Sequence, residues 1–69
     1  MNQYERIIKY LDDFGSISPM EAFRDLGITK LATRISEMSR RGYEFIKTRE
    51  NSTNRYGEPV SFMRYRKVS

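Results

Sequence analysis

The stretch Ser16–Tyr43, SISPMEAFRDLGITKLATRISEMSRRGY, decides the fold, because it indicates two short helices separated by one glycine. Ser18 is a good N-cap, Pro19 suits the first helical position, and Glu21 completes a capping box. Gly27 can take the left-handed conformation that a helix C-terminus needs. These signals predict a first helix of about two turns that ends at this glycine.

The second helix in this stretch is amphipathic. Leu31, Ile35 and Met38 fall at i, i+4 and i+7 and Ala32 flanks them, so they share one face, which we expect to be buried. We expect Thr29 to cap this helix and Gly42 to end it. The outward face then carries the polar and basic side chains Lys30, Thr33, Arg34 and Glu37, followed by Arg40 and Arg41 near the C-terminus.

A further helix precedes this pair. Between Gln3 and Phe14, apolar residues recur at the spacing of one helical face. Asn2 and Glu5 provide a capping box at its start, and Gly15 ends it. The chain is therefore expected to begin with three helices.

Downstream of the helices the pattern becomes extended. Residues 43–48, YEFIKT, and 60–68, VSFMRYRKV, are rich in aromatic and β-branched side chains and predict two strands. Residues 49–59 between them, RENSTNRYGEP, are polar and predict a long hairpin loop. Residues 15–18, GSIS, are expected to add a very short strand that pairs with the hairpin. The side of the hairpin that faces the core is expected to carry Phe45, Met63 and Tyr65.

Composition restricts the function. The 69 residues contain no cysteine and no histidine, which excludes thiolate metal sites and removes the commonest general base. Asp12 and Asp13 are adjacent, and no nucleophile or glycine-rich phosphate loop accompanies them. We therefore expect no enzyme, no cofactor and no metal site. No apolar run is long enough to cross a membrane, so we expect a cytoplasmic protein that forms one domain over residues 1–69.

Charge is distributed unevenly along the chain, whose net charge is +4. Residues 1–29 carry three basic and five acidic side chains, a net charge of −2. Residues 30–69 carry ten basic and four acidic side chains, a net charge of +6. A basic half of this kind favours a polyanionic partner, and the alternative is a solvated surface that is merely basic.

Three helices followed by a hairpin, with a basic third helix, have the plan of a winged helix. The major groove of B-DNA, about 12 Å wide, admits one α-helix, and the other elements can brace that helix. The hairpin loop can then reach a phosphate backbone or a minor groove beside it. The sequence thus predicts a mainly α fold with a C-terminal β-hairpin, a winged helix-turn-helix of three helices plus wing.

The segments GSISPMEAFRDLGITKLATRISEMSRRGYEFIKT and NRYGEPVSFMRYR resemble the small winged helix-turn-helix domains common in phage and prophage proteins. The shared features are a capping serine, a short helix that ends in LGI, a helix with RIS at its centre, the RRGY that follows, and a hairpin loop with NRYG. The resemblance extends over residues 4–67. It implies the winged helix-turn-helix fold and a DNA-binding role.

On the third helix, Arg34 is the residue that we expect to read a base, because arginine pairs in bidentate fashion with guanine O6 and N7. Glu37 either accepts from a cytosine amino group or orients Arg34 or Arg41. The alternative for this face is a solvated helix surface with an i, i+3 or i, i+4 ion pair. The residues around this helix that we expect to contact DNA are Thr29, Lys30, Thr33, Arg34, Glu37, Arg40 and Arg41.

The hairpin supplies a second set of predicted contacts. Arg49 and Arg55 are candidates for phosphate or minor-groove contact, and Arg55 with Tyr56 and Gly57 is typical of a wing tip. The alternative is a mobile hairpin with scattered charge. The hairpin residues that we expect to contact DNA are Lys47, Arg49, Asn54, Arg55 and Tyr56.

The leading expectation is a double-stranded DNA-binding protein, either a phage or prophage transcriptional regulator or an excisionase-like factor. The third helix would lie in the major groove and the wing on backbone or minor groove. One domain offers few base contacts, so a homodimer or another DNA-bound protein is the expected partner. The alternative is a protein–protein interaction module that keeps the winged fold without binding DNA.

Overall fold

Three helices and a two-stranded antiparallel hairpin follow one another along residues 1–68, the part of the chain that the computed structural model describes. This order confirms the predicted winged helix-turn-helix fold. The elements are α1 (Gln3–Phe14), α2 (Pro19–Leu26), α3 (Leu31–Arg40), β1 (Phe45–Thr53) and β2 (Pro59–Lys67).

The caps predicted for the first two helices are present. The side chain of Asn2 accepts from the backbone N–H of Glu5 at 2.8 Å, and Glu5 Oε1 accepts from the backbone N–H of Asn2 at 2.9 Å. Ser18 and Glu21 form the same reciprocal pair at the start of α2. Gly27 ends α2 with φ of +70°, a conformation that other residues adopt with strain. Local capping chemistry therefore fixes these boundaries.

The predicted cap of α3 is wrong. Lys30, not Thr29, is the residue that precedes the first helical position, and no side chain caps this end of the helix. The backbone carbonyl of Lys30 accepts from the N–H of Arg34 at 3.1 Å, so the helical bonding begins one residue later than a cap at Thr29 requires. Thr29 lies exposed in the bend that joins the two helices.

The hairpin is longer and its loop shorter than predicted. β1 continues to Thr53 and β2 begins at Pro59, so the loop comprises residues 54–58 and not 49–59. The pairing runs without interruption from Phe45 opposite Lys67 to Thr53 opposite Pro59. Cross-strand bonding uses the backbone, so polar side chains on an exposed ribbon do not end it.

A third strand is reduced to one bridge. Ile17 donates to the carbonyl of Tyr65 at 2.9 Å and accepts from its N–H at 2.9 Å. This confirms the short pairing expected for residues 15–18. It fastens the hairpin to the segment just before α2.

The core lies between the helices and the base of the hairpin. Tyr65 is buried, whereas Phe45 and Met63 are half-buried against the core, as expected for the inner side of the hairpin. Phe14, by contrast, is 69% exposed at the end of α1. None of the helices within residues 1–68 is long and apolar enough to cross a membrane. The buried apolar residues are Ile7, Tyr10, Leu11, Ile17, Ala22, Ile28, Leu31, Ile35, Met38 and Tyr65.

Candidate nucleic-acid interface

The exposed face of α3 is built mainly of short side chains. Because Leu31, Ile35 and Met38 are buried, the opposite side of the helix points to solvent. The exposed residues there are Ala32, Thr33, Ser36, Ser39 and Arg40, a set that we call the α3 outer face.

The sequence analysis did not select Ser36 and Ser39 as contacts. It placed Ala32 beside the buried face, which is wrong because Ala32 is exposed. It searched for charged side chains that could make strong contacts with DNA, and small residues carry no such signal. The helical period would have found Ser36, which points away from the buried stripe, whereas Ala32 and Ser39 lie one turn from the buried Ile35 and their exposure depends on the packing of the domain.

Arg34 and Glu37 were expected on the outward face of α3, and this is wrong. Both are half-buried at the side of the helix, where Tyr4 of α1 contacts Glu37. Arg34 Nη1 donates to Glu37 Oε1 at 2.8 Å, and Tyr4 on α1 donates its hydroxyl to the same oxygen at 2.8 Å. The two ion-paired side chains are only 29% and 31% exposed. Arg34 Nε is buried and has no hydrogen-bond partner within residues 1–68. The structure thus contains the i, i+3 ion pair given as the alternative for this face, although the pair is half-buried rather than solvated. Base reading by Arg34 and its orientation by Glu37 stay predictions.

Arg41 joins the same side of the helix. Its guanidinium carbon lies 4.8 Å from the centre of the Tyr4 ring, a distance at which a cation–π interaction is favourable. Tyr4 therefore contacts both Arg41 and Glu37, and it links α1 to the C-terminal half of α3.

Basic side chains lie before α3 and in its last turn. Lys30 precedes the helix and is exposed together with Thr29. Arg40 lies in the last turn, where its Nη2 donates to Ser36 Oγ at 3.3 Å. The face therefore has a small, uncharged centre between two cations.

Lys47 and Arg49 lie on one side of the hairpin. The same side packs against the core at the end of the hairpin nearest the helices. Lys47 is paired with Tyr65, and Arg49 with Met63, and paired residues point to the same side of a sheet. Both basic side chains are exposed. Arg49 Nη1 donates across the hairpin to Ser61 Oγ at 3.0 Å, which orients the guanidinium along the ribbon.

Asn54 organises the tip of the hairpin loop. Its Oδ1 accepts from the backbone N–H groups of Tyr56 at 2.9 Å and Glu58 at 3.0 Å. Its Nδ2 donates to Glu58 Oε1 at 3.0 Å. Gly57 has φ of +78°, which favours glycine at this position. The fold of the loop leaves Arg55 exposed and Tyr56 82% exposed at the tip.

A family model described as the winged helix-turn-helix domain matches residues 2–65. The chain belongs to the winged helix-turn-helix domain family. Membership of this family suggests DNA binding. Comparisons with curated proteins and with solved structures gave no significant match.

Arg64 attaches the wing of this winged helix-turn-helix domain to α2. The sequence analysis did not predict this contact. Arg64 Nη1 donates to Glu21 Oε1 at 2.9 Å and to Ser16 Oγ at 3.1 Å, and its Nε donates to Glu50. The side chain is 16% exposed. The hydrogen bonds to Glu50 and Glu21 raise the pKa of Arg64. This network joins β1, β2 and the start of α2.

Glu21 titrates below its ordinary range because of the same network. Burial alone would raise its pKa, but the hydrogen bonds from Arg64 and from Ser18 outweigh burial and lower it. Glu21 therefore both caps α2 and accepts from Arg64. The contact between Glu21 and Arg64 joins two residues that are 43 positions apart in sequence, so the pattern of one helix or one strand does not predict it.

The acidic residue Asp25 of the winged helix-turn-helix domain has its own partners. Arg24 Nε donates to its carboxylate at 2.9 Å, and the Tyr10 hydroxyl donates to it at 2.7 Å. The hydrogen bond from Arg24, together with that from Tyr10, lowers the pKa of Asp25 to about 2. The hydrogen bond to Asp25 and burial raise the pKa of Tyr10.

Proposed function

We propose that this chain binds double-stranded DNA with α3 in the major groove and the hairpin tip on the phosphate backbone or in the minor groove. The observation that carries the proposal is the α3 outer face, which combines small side chains with Arg40 in the last turn and follows directly after Lys30. Short side chains let a helix lie deep in a groove, and flanking cations meet the phosphates on its rims.

The distribution of charge supports this orientation. Residues 30–69, which include α3 and the hairpin, carry a net charge of +6, whereas residues 1–29 carry −2. Phosphate neutralisation by lysine and arginine supplies most non-specific affinity for DNA. The proposed phosphate contacts are Thr29, Lys30, Arg40, Arg41, Lys47, Arg49 and Arg55.

The remaining predicted site residues have more specific proposed roles. Thr33 faces the bases from the centre of the α3 outer face, and Tyr56 packs against the sugar–phosphate backbone at the hairpin tip. Asn54 acts by shaping the loop that presents Tyr56. Arg34 would read a base with the guanidinium N–H groups that Glu37 leaves free, because the pair uses one N–H of Nη1 in the protein alone.

In the cell, we propose a non-enzymatic role as a phage or prophage transcriptional regulator or an excisionase-like factor, in the cytoplasm of a bacterial host. Both roles require recognition of a particular DNA sequence. A single small domain makes few base contacts, so a homodimer or a second DNA-bound protein would supply the remaining specificity.

Fluorescence anisotropy with a labelled random-sequence duplex across a salt series tests the proposal. We expect affinity to fall steeply with salt, since each neutralised phosphate contributes about −0.9 to the slope of log K against log salt. Lys30→Ala and Arg55→Ala should each weaken binding and reduce the slope by about one contact.

Lys9→Ala is the matched control, because it removes the same charge from α1, where Lys9 is paired with Asp13 at 3.6 Å. It should leave the slope close to that of the wild type. Absence of binding at low salt, or equal effects of all three substitutions, would contradict the proposed interface.

A second candidate function is a protein-interaction module. The observation in its favour is that the apolar side chains Phe14, Met20 and Phe23 are all more than half exposed on α1 and α2. Tyr10 lies beside Phe14, with ring centres 4.6 Å apart. Sedimentation velocity without DNA tests this alternative: self-association abolished by Phe14→Ser, together with absence of DNA binding, would favour it over the first proposal.

A further inference from the structure

The side chains that commonly read guanine and adenine are missing from the centre of the α3 outer face. Adenine is commonly read by asparagine or glutamine, and α3, LATRISEMSR, contains neither. Guanine is commonly read by arginine or lysine, but Arg34 is paired with Glu37 at the side of the helix. The centre of the face therefore offers methyl and hydroxyl groups.

The position of each residue along α3 indicates which of them would contact the bases. In helix-turn-helix proteins the N-terminal residues of the recognition helix contact the base edges. In α3 these are Ala32 and Thr33, which are adjacent and exposed in the first turn. Arg40 lies in the last turn, and its hydrogen bond to Ser36 directs it back along the helix.

Ala32 and Thr33 suit one feature of the major groove. Thymine carries a C5 methyl group there, and the methyl groups of alanine and threonine are its usual apolar contacts. A helix with its side chains is about 10–12 Å across and the groove is about 12 Å wide, so short side chains bring Cβ and Cγ2 close to the base edges.

We propose that α3 recognises thymine methyl groups, with Ala32 Cβ and Thr33 Cγ2 packed against the C5 methyls of A·T pairs in the major groove. Lys30 and Arg40 hold the phosphates on either side and add no base preference. This inference rests on the proposed function and specifies the DNA sequences that the same site prefers.

The test begins with selection of duplexes from a random library by the wild-type protein. In the selected duplex, each thymine is then replaced by deoxyuridine, which lacks only the methyl group. At one or two positions we expect affinity, measured by anisotropy, to fall about fourfold, the effect of one buried methyl group.

Thr33→Ser links the effect to the protein, because serine keeps the hydroxyl and lacks the methyl. This variant should bind the thymine duplex about fourfold more weakly than the wild type. On the duplex with deoxyuridine at the sensitive position, the two proteins should bind equally. Lys30→Ala is the control, and it should weaken binding to both duplexes by the same factor.

The outcomes separate the inference from the proposed function. Binding that is insensitive to every deoxyuridine replacement overturns the methyl readout and leaves DNA binding intact. A selected site centred on guanine whose preference disappears with Arg34→Ala also overturns it, and assigns the reading to Arg34. Absence of binding to any duplex overturns the proposed function itself, and the inference with it.

Discussion

Arg64 on β2 donates to Glu21 on α2 at 2.9 Å, across 43 residues of sequence. The same guanidinium binds Glu50 on β1, so one cation joins both strands of the hairpin to the first turn of the helix-turn-helix. Together with the backbone bridge between Ile17 and Tyr65, this contact determines how the wing is attached to the helices.

Replacing Arg64 with alanine should destabilise the fold by about 2 kcal/mol, because it leaves two half-buried carboxylates, Glu21 and Glu50, without their shared cation. Urea unfolding followed by circular dichroism measures the change. Arg66→Ala, on the exposed part of the same strand, is the control and should change stability by no more than about 0.5 kcal/mol. Equal losses for the two variants would contradict a special role for Arg64.

Acid should weaken the fold through Glu21. The pKa of Glu21 in the folded protein lies below its ordinary value of 4.5, so the ionised carboxylate contributes stability above that pH. This contribution is lost as the pH falls through the lowered pKa of the folded state. Between about pH 5 and pH 3, the free energy of unfolding of the wild type should therefore fall more steeply than that of Glu21→Gln.

Arg64→Met provides the second comparison for this pH dependence. Without the guanidinium, Glu21 loses the partner that lowers its pKa, and the stability profile in the same pH range should flatten. Urea titrations at several pH values measure both slopes. A wild-type slope shared by both variants would exclude the Arg64–Glu21 contact as a source of the acid sensitivity.

Glu37→Gln should strengthen DNA binding. The substitution removes a negative charge at the edge of the α3 outer face and releases Arg34 from its ion pair. We expect affinity for random duplex DNA to rise about threefold at low salt, with a steeper salt dependence. Anisotropy measures both quantities. Glu44→Gln makes the same change of charge outside α3, and an equal gain there would show that Arg34 is not involved.

The hydrogen bonds of Asn54 in the hairpin loop should contribute to the stability of the fold. Asn54→Ala removes the acceptor for the N–H groups of Tyr56 and Glu58, and should cost about 1 kcal/mol of stability. Asn51→Ala is the matched control, since Asn51 is an exposed strand residue paired with Ser61. Thermal unfolding compares the two variants. A larger loss for Asn51→Ala would contradict the role assigned to the loop asparagine.

The helices were predictable because their limits depend on neighbouring residues. Asn2 with Glu5 and Ser18 with Glu21 form capping boxes within four residues of sequence. Glycine ends both helices for the same local reason. Lys30 lacks a side-chain cap, and the start of α3 was accordingly misplaced by the expectation that Thr29 would supply one.

The hairpin was predicted less well because strand pairing does not require a particular side chain. Asn51 is a turn former by type, yet it pairs with Ser61 within the ladder. The loop is built by Asn54, whose side chain accepts from backbone N–H groups, and by Gly57, whose φ is positive. The sequence indicated a wing tip at residues 55–57, but Asn51 and Pro59 are turn formers as well, so the loop was predicted too long.

The candidate interface was predictable in part. The period of α3 placed Thr33 and Arg40 outside correctly, but it was wrong for Arg34 and Glu37, which are half-buried. The half-buried position of Arg34 depends on its ion pair with Glu37. Tyr4, which is 33 residues from Glu37 in sequence, donates to the same carboxylate. The packing of the whole domain determines which side of α3 is covered by α1. The helical period of α3 therefore does not predict the contact between Tyr4 and Glu37.

The bridge between Ile17 and Tyr65 and the contact of Arg64 with Glu21 attach the hairpin near its base, and the two strands extend beyond them as an arm. β2 continues for six residues from Tyr65 to Pro59, which corresponds to about 20 Å at a rise of about 3.4 Å per residue. A rotation of about 10° at the bridge would carry the loop about 3.5 Å, roughly the rise of one base pair along DNA. The residues that set the angle at Tyr65 therefore also set which phosphate the wing tip can reach.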